Sequence, residues 1–509
     1  MNINQPRGIN MFKPTNEQQV IVDYAMTGKD VVVQAYAGCG KTSTMVLVAK
    51  ALQTQGKKGI YLAFNKDIAT EAKAKMPSNV NCLTVHSLAY RNTDKKLIEK
   101  LKLSNIYPNK LAEKYGIDEV TIVVKPPADD VEDKKVSPTQ ILTMAKNTVK
   151  SYCNSSDETL DESHVEIFDL GKTDIVGGLR ELERIVLKYA RIYWNDIIDP
   201  KSIIPLTHDA YLKLYSMSNS KLNVDFLICD ENQDSDPCTL AIINRQDCQK
   251  ILVGDTYQSI YQWRGAINAM DEFNCKKLHL TKTFRFGKQT SAFANNILQY
   301  CGARKKLIDN GESFTKFDKP HYDCYIYRTN QGALECYLGL VSDGLRPHLN
   351  VNVDEIKQFV QHFFGLEKGW DIKRPHPLLT GFKSIKSVRE YLADNDDKDL
   401  AKFVSLCDKN GYELVYKLDN MPSKENSDCI VMTAHKSKGL EFDSVYIGDD
   451  FNLVYEHNKR LYITDSEMEL NLTYVAITRA MKYVNCTNLR QFFNVLCDEI
   501  KTPFEVVYN

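Results

Sequence analysis

The stretch AYAGCGKT, Ala35 to Thr42, restricts the possible folds of this chain more than any other. The run Asp30-Val31-Val32-Val33-Gln34 before it reads as a buried strand, and Thr42 to Gln55 after it reads as a helix. A Gly-Lys-Thr ending between strand and helix is the signature of a phosphate-binding loop, whose backbone N–H groups and helix N-terminus cradle phosphate. Such a unit packs into a parallel sheet flanked by helices, so the expected class is α/β. Ala37, Gly38, Cys39, Gly40, Lys41, Thr42 and Ser43 would line the phosphates. Lys41 would neutralise the β- and γ-groups and Thr42 would hold Mg²⁺. Ala35 stands where the pattern usually has its first glycine.

A phosphate loop predicts carboxylates at the end of another strand of the same sheet. Val224 to Cys229 is an apolar strand that runs into Asp230-Glu231. Asp230 would support Mg²⁺, and Glu231 would orient and deprotonate an attacking water. Next comes LVGDTYQSIYQWRGA, Leu252 to Ala266. Gln258 suits phosphate sensing, while Tyr261 and Trp263 suit stacking on bases. One short segment would then touch a nucleotide at one end and a nucleic acid at the other.

Further candidates lie just past predicted strand ends, where open α/β sheets hold ligands. Phe64 closes the strand Gly59 to Phe64 and Asn65 follows it, and His86 and Ser87 lie in TVHSLAY. Their rings and polar groups suit base stacking and phosphate contacts, although ordinary loop chemistry would use the same residues. Gln18 lies three residues after Thr15, which makes a capping box; its amide could equally read an adenine edge. Arg285 follows Phe284 in LTKTFRF, either as a surface arginine beside a stapling ring or as a ligand contact. Arg479, in NLTYVAITRAMKYV, is either a salt-bridged helix arginine or an arginine supplied to a phosphate.

The 509 residues allow roughly three or four domains. A formal net charge of -1 means that any nucleic-acid site is a local patch. The fourteen cysteines form no C-x-x-C pair, which argues against zinc or iron–sulfur chemistry and for a reduced compartment. No apolar run approaches the ~20 residues of a membrane span, and the first residues lack the apolar core of a signal peptide. An intracellular, soluble protein without a membrane partner is expected. The expected boundaries are 1–90 for the start of the first α/β domain, 91–201 for a helical insertion and 202–280 for the rest of that domain. A second α/β domain would occupy 281–340 and 428–509, with a small insertion at 341–427.

Taken with AFNKDIA, TFRFG, KSKGLEF and AITRA, these stretches resemble superfamily 1 helicases of the UvrD/Rep/PcrA type. They are most similar to the helicase core of the F-box DNA helicases, over most of Phe12 to Asn488 outside the insertions. The resemblance implies two RecA-like P-loop domains, with ATP and Mg²⁺ in the cleft between them and single-stranded DNA across their top. Gln18 would read adenine, Phe284 would stack on it where the family usually has tyrosine, and Glu441 would meet the ribose. Gln258, Arg285 and Arg479 would contact the γ-phosphate. Phe64, Asn65, His86, Tyr261, Trp263 and His435 would line the DNA track.

The expected activity is that of an ATP-dependent DNA helicase moving 3′-to-5′ on single-stranded DNA and separating partly duplex DNA. A translocase that mainly strips bound proteins and an ATP-gated DNA-binding switch are the alternatives. A monomer is expected, with single-strand-binding or recombinase proteins as candidate partners. No F-box-like pattern precedes Phe12, so ubiquitin-ligase assembly is not implied. The second insertion is much shorter than the regulatory domain of UvrD, so the autoinhibition of that domain is not carried over.

Overall fold

The structure, a computed structural model, describes residues 13–125, 132–167, 174–262, 265, 268–313, 318–372, 375–379, 382–394, 398–464 and 466–500. Trp263 lies outside the described residues. The chain forms two compact units. The first holds the residues up to Leu101 with Cys153–Glu158 and Thr207–Phe284. The second holds Lys102–Tyr152, Thr159–Leu206 and the residues from Arg285 onward.

In chain order the strands begin with β1 (Val31–Ala35), β2 (Gly59–Ala63) and β3 (Val80–Thr84). Then come β4 (Val120–Lys125), β5 (Glu132–Val136) and β6 (Asp174–Gly177), followed by β7 (Phe226–Cys229), β8 (Gln249–Gly254) and β9 (Lys276–Leu280). The first unit is built on a six-stranded sheet of order β3-β2-β7-β8-β1-β9, parallel throughout. Its central strands are covered on both faces, which is why they read as apolar runs rather than alternating ones. Every residue of β1 and of β7 is buried. Gly59 lies opposite Phe226, and a Cβ there would sit 2.3 Å from the Phe226 ring, so β2 and β7 pack closely only because that side chain is missing.

In the second unit, β4, β5 and β6 form a three-stranded antiparallel sheet of order β5-β4-β6. The stretch read from sequence as a helical insertion is therefore mixed. β4 (VTIVVK) is apolar, β5 (EDKKV) is charged and β6 (DIVG) is only four residues long, so no shared period-2 signal marks the three as one sheet. The remaining strands are β10 (Cys324–Tyr327), β11 (Pro347–Asn350), β12 (Cys429–Thr433), β13 (Phe442–Ile447), β14 (Val454–His457), β15 (Arg460–Ile463) and β16 (Ala480–Asn485). Five of them make a parallel sheet of order β11-β12-β10-β13-β16. β11 lies inside the stretch 341–427, yet it is the edge strand of this sheet. Helices from that stretch share one core with the sheet: Phe359, Val360, Leu414 and Leu418 pack with Leu334, Leu349 and Val431. Among the described residues no helix is long and apolar enough to cross a membrane.

Candidate functional site

The carboxyl ends of the six parallel strands gather the first unit's candidates on one edge of the sheet, the expected ligand edge of an open α/β fold. After β1 the chain turns through Gly38 and Gly40, at φ 72° and 75°, a left-handed conformation that L side chains rarely adopt. The helix Lys41–Thr54 starts at once, with Gly40 as its N-cap and no side chain capping it. Its N-terminal N–H groups are thus left for a ligand, as a phosphate loop requires.

One side of this loop is walled by two residues far apart in sequence. A Cβ on Gly40 would lie 3.3 Å from the Phe284 ring and 3.4 Å from Gln18 Nε2. The Phe284 N–H donates to Gly38 O at 2.9 Å, and the residue is 44% exposed. Gln18 is fully buried. Its Oε1 accepts from the Thr15 N–H at 3.0 Å, and its Nε2 donates to Thr44 Oγ1 at 3.1 Å. The capping box is thus present. One amide N–H and one oxygen lone pair remain beyond those two bonds.

At the start of the helix, Lys41 Nζ lies 2.7 Å from Glu231 Oε1. Burial works against the Lys41 ammonium, but Glu231, Asp230 and Asp255 outweigh it and hold its pKa above the ordinary lysine value. Asp230 is buried, and burial together with the Glu231 charge pushes its pKa up to about 6 against the pull of Lys41. Tyr61 donates its hydroxyl to Asp230 Oδ2, and the Glu231 N–H donates to Oδ1 at 2.9 Å. Glu231 itself sits at φ 52°, a left-handed conformation unusual for a residue with a side chain.

Gln233 links the carboxylates to the segment after β8. Its Nε2 donates to Glu231 Oε2 at 2.5 Å. Its Oε1 accepts from the Asp255 N–H at 3.0 Å, and its backbone O accepts from Ser259 Oγ at 3.2 Å. Asp255 is fully buried and receives Gln34 Nε2 at 3.0 Å and Gln258 Nε2 at 2.8 Å. Gln258 is thus held within the sheet edge, and Tyr261 follows three residues later. Tyr261 stacks on Phe64, with centroids 5.5 Å apart and planes 14° from parallel. Phe64 is 39% exposed.

Asn65 is exposed but already acts as an N-cap, accepting from the Ile68 N–H at 2.9 Å. His86 packs edge-on against Tyr211 at 5.8 Å, and burial lowers its pKa. Its Nδ1 has no hydrogen-bond partner among the described residues. Phe64, His86, Asp230 and Glu231 line one cavity of about 100 Å³.

The second unit carries its own cluster. Arg285 donates through Nε and Nη2 to Glu441 Oε1 at 2.9 and 2.5 Å, and through Nη1 to Thr478 O at 3.0 Å. Arg479 is 1% exposed; its guanidinium donates to Val475 O, Leu440 O and Thr478 Oγ1 at 2.9–3.3 Å. His435 lies half-buried in the short helix after β12. A hairpin of β14 and β15 turns through Asn458 and Lys459, both at positive φ, as tight hairpin turns demand. On it Tyr455, 47% exposed, stacks on Tyr462 at 5.7 Å, and Arg460 lies over the Tyr462 ring.

Sequence reading passed over Thr44, Tyr61, Gln233, Asp255 and this hairpin. Only the hairpin left a usable signal, the alternation VYEH and RLYI around Asn458-Lys459.

Comparison with known proteins agrees with this geometry. A family model described as the UvrD/REP helicase N-terminal domain matches residues 15–276, and one described as the UvrD-like helicase C-terminal domain matches 372–490. The chain is 31% identical to F-box DNA helicase 1 of Gallus gallus, over 92% of this chain and 48% of that protein. It is 29% identical to F-box DNA helicase protein 1 of Schizosaccharomyces pombe, over 92% of this chain and 56% of that protein. A probable DNA helicase II homolog of Mycoplasma capricolum is 20% identical over 97% of this chain and 71% of that protein. The chain spans about half the length of the two F-box relatives. Its phosphate loop, paired carboxylates and two parallel sheets, together with a family match covering more than half its length, establish that this chain belongs to the UvrD/REP helicase family.

Proposed function

We propose that the chain is an ATP-dependent DNA helicase that moves 3′-to-5′ along single-stranded DNA and separates duplex strands. The observation that carries this reading is the hydrogen-bonded path from Glu231 through Gln233 to Asp255 and Ser259. It joins a hydrolytic carboxylate to the segment that bears Gln258 and Tyr261, and so supports a link between nucleotide state and a stacking surface.

Lys41 and the N–H groups opening the helix Lys41–Thr54 bind the triphosphate. Phe284 and Gln18 hold the base. Thr42 and Asp230 offer oxygen donors, which suit Mg²⁺, and a divalent cation would offset the burial of Asp230. When bound, the cation neutralises phosphate charge. Glu231 takes the proton of the attacking water once Lys41 has left it for phosphate. Gln258, Arg285 and Arg479 sense the γ-phosphate, and Glu441 meets the ribose. Phe64, Tyr261 and Trp263 stack on bases, a contribution of about 1–3 kcal/mol per base. Asn65, His86 and His435 complete the track. The exposed Tyr455 of the β14–β15 hairpin, backed by the half-buried Tyr462, suits a wedge that caps the last base pair of a duplex.

The test is unwinding of 3′-tailed against 5′-tailed partial duplexes, with ATP turnover recorded alongside. Unwinding confined to 3′-tailed substrates and turnover stimulated by single-stranded DNA are expected. Stimulated turnover that displaces a bound protein but leaves duplexes intact would favour a stripping translocase. Turnover indifferent to DNA would favour a switch.

A further inference from the structure

Thr44 lies one helical turn into the helix Lys41–Thr54 and is fully buried. Its hydroxyl has a single hydrogen, and that hydrogen goes to Gly40 O at 2.9 Å, because a carbonyl can only accept. Thr44 Oγ1 must then accept from Gln18, 3.1 Å away, so the Gln18 atom facing it is the amide nitrogen. The other side of the amide meets the Thr15 backbone N–H, which can only donate, so that atom is the oxygen. Two independent contacts fix the same amide orientation.

The orientation matters for what the amide can read. Adenine presents an acceptor, N7, beside a donor, the N6 amine, and a glutamine amide pairs with both. Guanine presents two acceptors, N7 and O6, on that edge. An amide locked by Thr15 and Thr44 keeps its remaining N–H and lone pair in one order. It cannot turn to offer its nitrogen where its oxygen now stands. Gly40, which accepts both the Thr44 N–H and its hydroxyl, belongs to the phosphate loop, so the lock and the loop share one hydrogen-bonded chain.

We propose that Thr44 is a specificity-determining positioning residue, whose hydroxyl sets the Gln18 amide to accept adenine and refuse guanine, and ties that choice to Gly40 of the phosphate loop. This inference rests on the nucleotide reading above and goes further by naming the residue that selects the base.

The experiment is displacement of a fluorescent ATP analogue by ATP and by GTP from wild type, Thr44→Val and Thr44→Ser, with no DNA and no turnover. Thermal melting of each variant is recorded as a check on folding. Wild type prefers ATP. Thr44→Val, which keeps shape but loses the hydroxyl, reduces the ATP-over-GTP ratio by about 3- to 10-fold, the worth of one hydrogen bond. Thr44→Ser, which keeps the hydroxyl, restores the ratio. A Thr44→Val protein with wild-type selectivity overturns the proposal. So does an equal loss of ATP and GTP binding in either variant, which would make the hydroxyl a tie of the loop alone. A wild type that binds both nucleotides equally overturns base reading by Gln18, and with it this inference, while the phosphate loop stands. A wild type that binds neither overturns the nucleotide reading itself.

Discussion

The Lys41 ammonium and the Glu231 carboxylate form an ion pair 2.7 Å long, across 190 residues of sequence. In this arrangement the cation proposed to bind phosphate and the base proposed to activate water neutralise each other. On that proposal, neither is ready for chemistry until phosphate draws Lys41 away. Lys41→Ala is expected to lower ATP turnover by about 100-fold or more, through lost charge stabilisation. Glu231→Gln should retain nucleotide binding and lose roughly 100-fold or more in turnover, as removal of a general base does. Equilibrium binding of a fluorescent nucleotide, measured beside steady-state hydrolysis, separates the two. Loss of binding in Glu231→Gln would count against its role as base.

Phe64 and Tyr261 stack on each other at 5.5 Å, so a base arriving at this surface meets a ready-made ring face. Phe64→Ala is expected to weaken single-stranded DNA binding by about 1–3 kcal/mol, read by anisotropy of a labelled oligonucleotide. Trp263→Ala should reduce DNA-stimulated turnover more than basal turnover. An equal loss of both rates would contradict coupling through this segment.

The β14–β15 hairpin presents Tyr455 to solvent with Tyr462 as its stacking support. Tyr455→Ala should slow duplex unwinding by about 5-fold or more while DNA-stimulated turnover stays near wild type, because only the capping of a base pair is lost. Unwinding at the wild-type rate would remove the hairpin from strand separation.

Asp255 gives the stability of the nucleotide-free protein a pH dependence. Burial pushes its pKa from 3.8 up to about 6, although Lys41 and the bonds from Gln258 and Tyr257 oppose the shift. The folded state therefore holds this proton more tightly than the unfolded chain. Its contribution is complete below about pH 4 and is lost as pH rises through about 6, a change on the order of 3 kcal/mol at most. Asp255→Asn cannot ionise, so its melting temperature should gain on wild type between pH 4.5 and pH 7. Parallel pH profiles for the two proteins would refute this.

Local patterns carry their own structure, and those were legible in the chain alone. The strand, the Gly-Lys-Thr turn and the helix after it are adjacent in sequence, so Gly40, Lys41 and Thr42 declare their geometry through glycine freedom and helix polarity. The apolar β7 ending in Asp230-Glu231 does the same, and so does the capping box of Thr15 and Gln18. The small sheet of β4, β5 and β6 did not declare itself, because the apolar β4 has as neighbours a charged β5 and a four-residue β6 that carry no strand pattern of their own. Nor did β11, which pairs with β12 about eighty residues further on.

Only the tertiary structure decided which side chains meet. Tyr61 reads as one more strand residue until β2 and β7 lie side by side and its hydroxyl reaches Asp230. Gln233 reads as a loop amide until β8 brings Asp255 to it. Gln18 was open between helix cap and base reader. The fold makes it a cap with one donor and one acceptor to spare, oriented by Thr44. The division follows from the range of the forces involved. Backbone conformation is set by neighbours within a turn or two, whereas a buried hydrogen bond between residues 26 or 169 positions apart exists only after the sheet has closed around it.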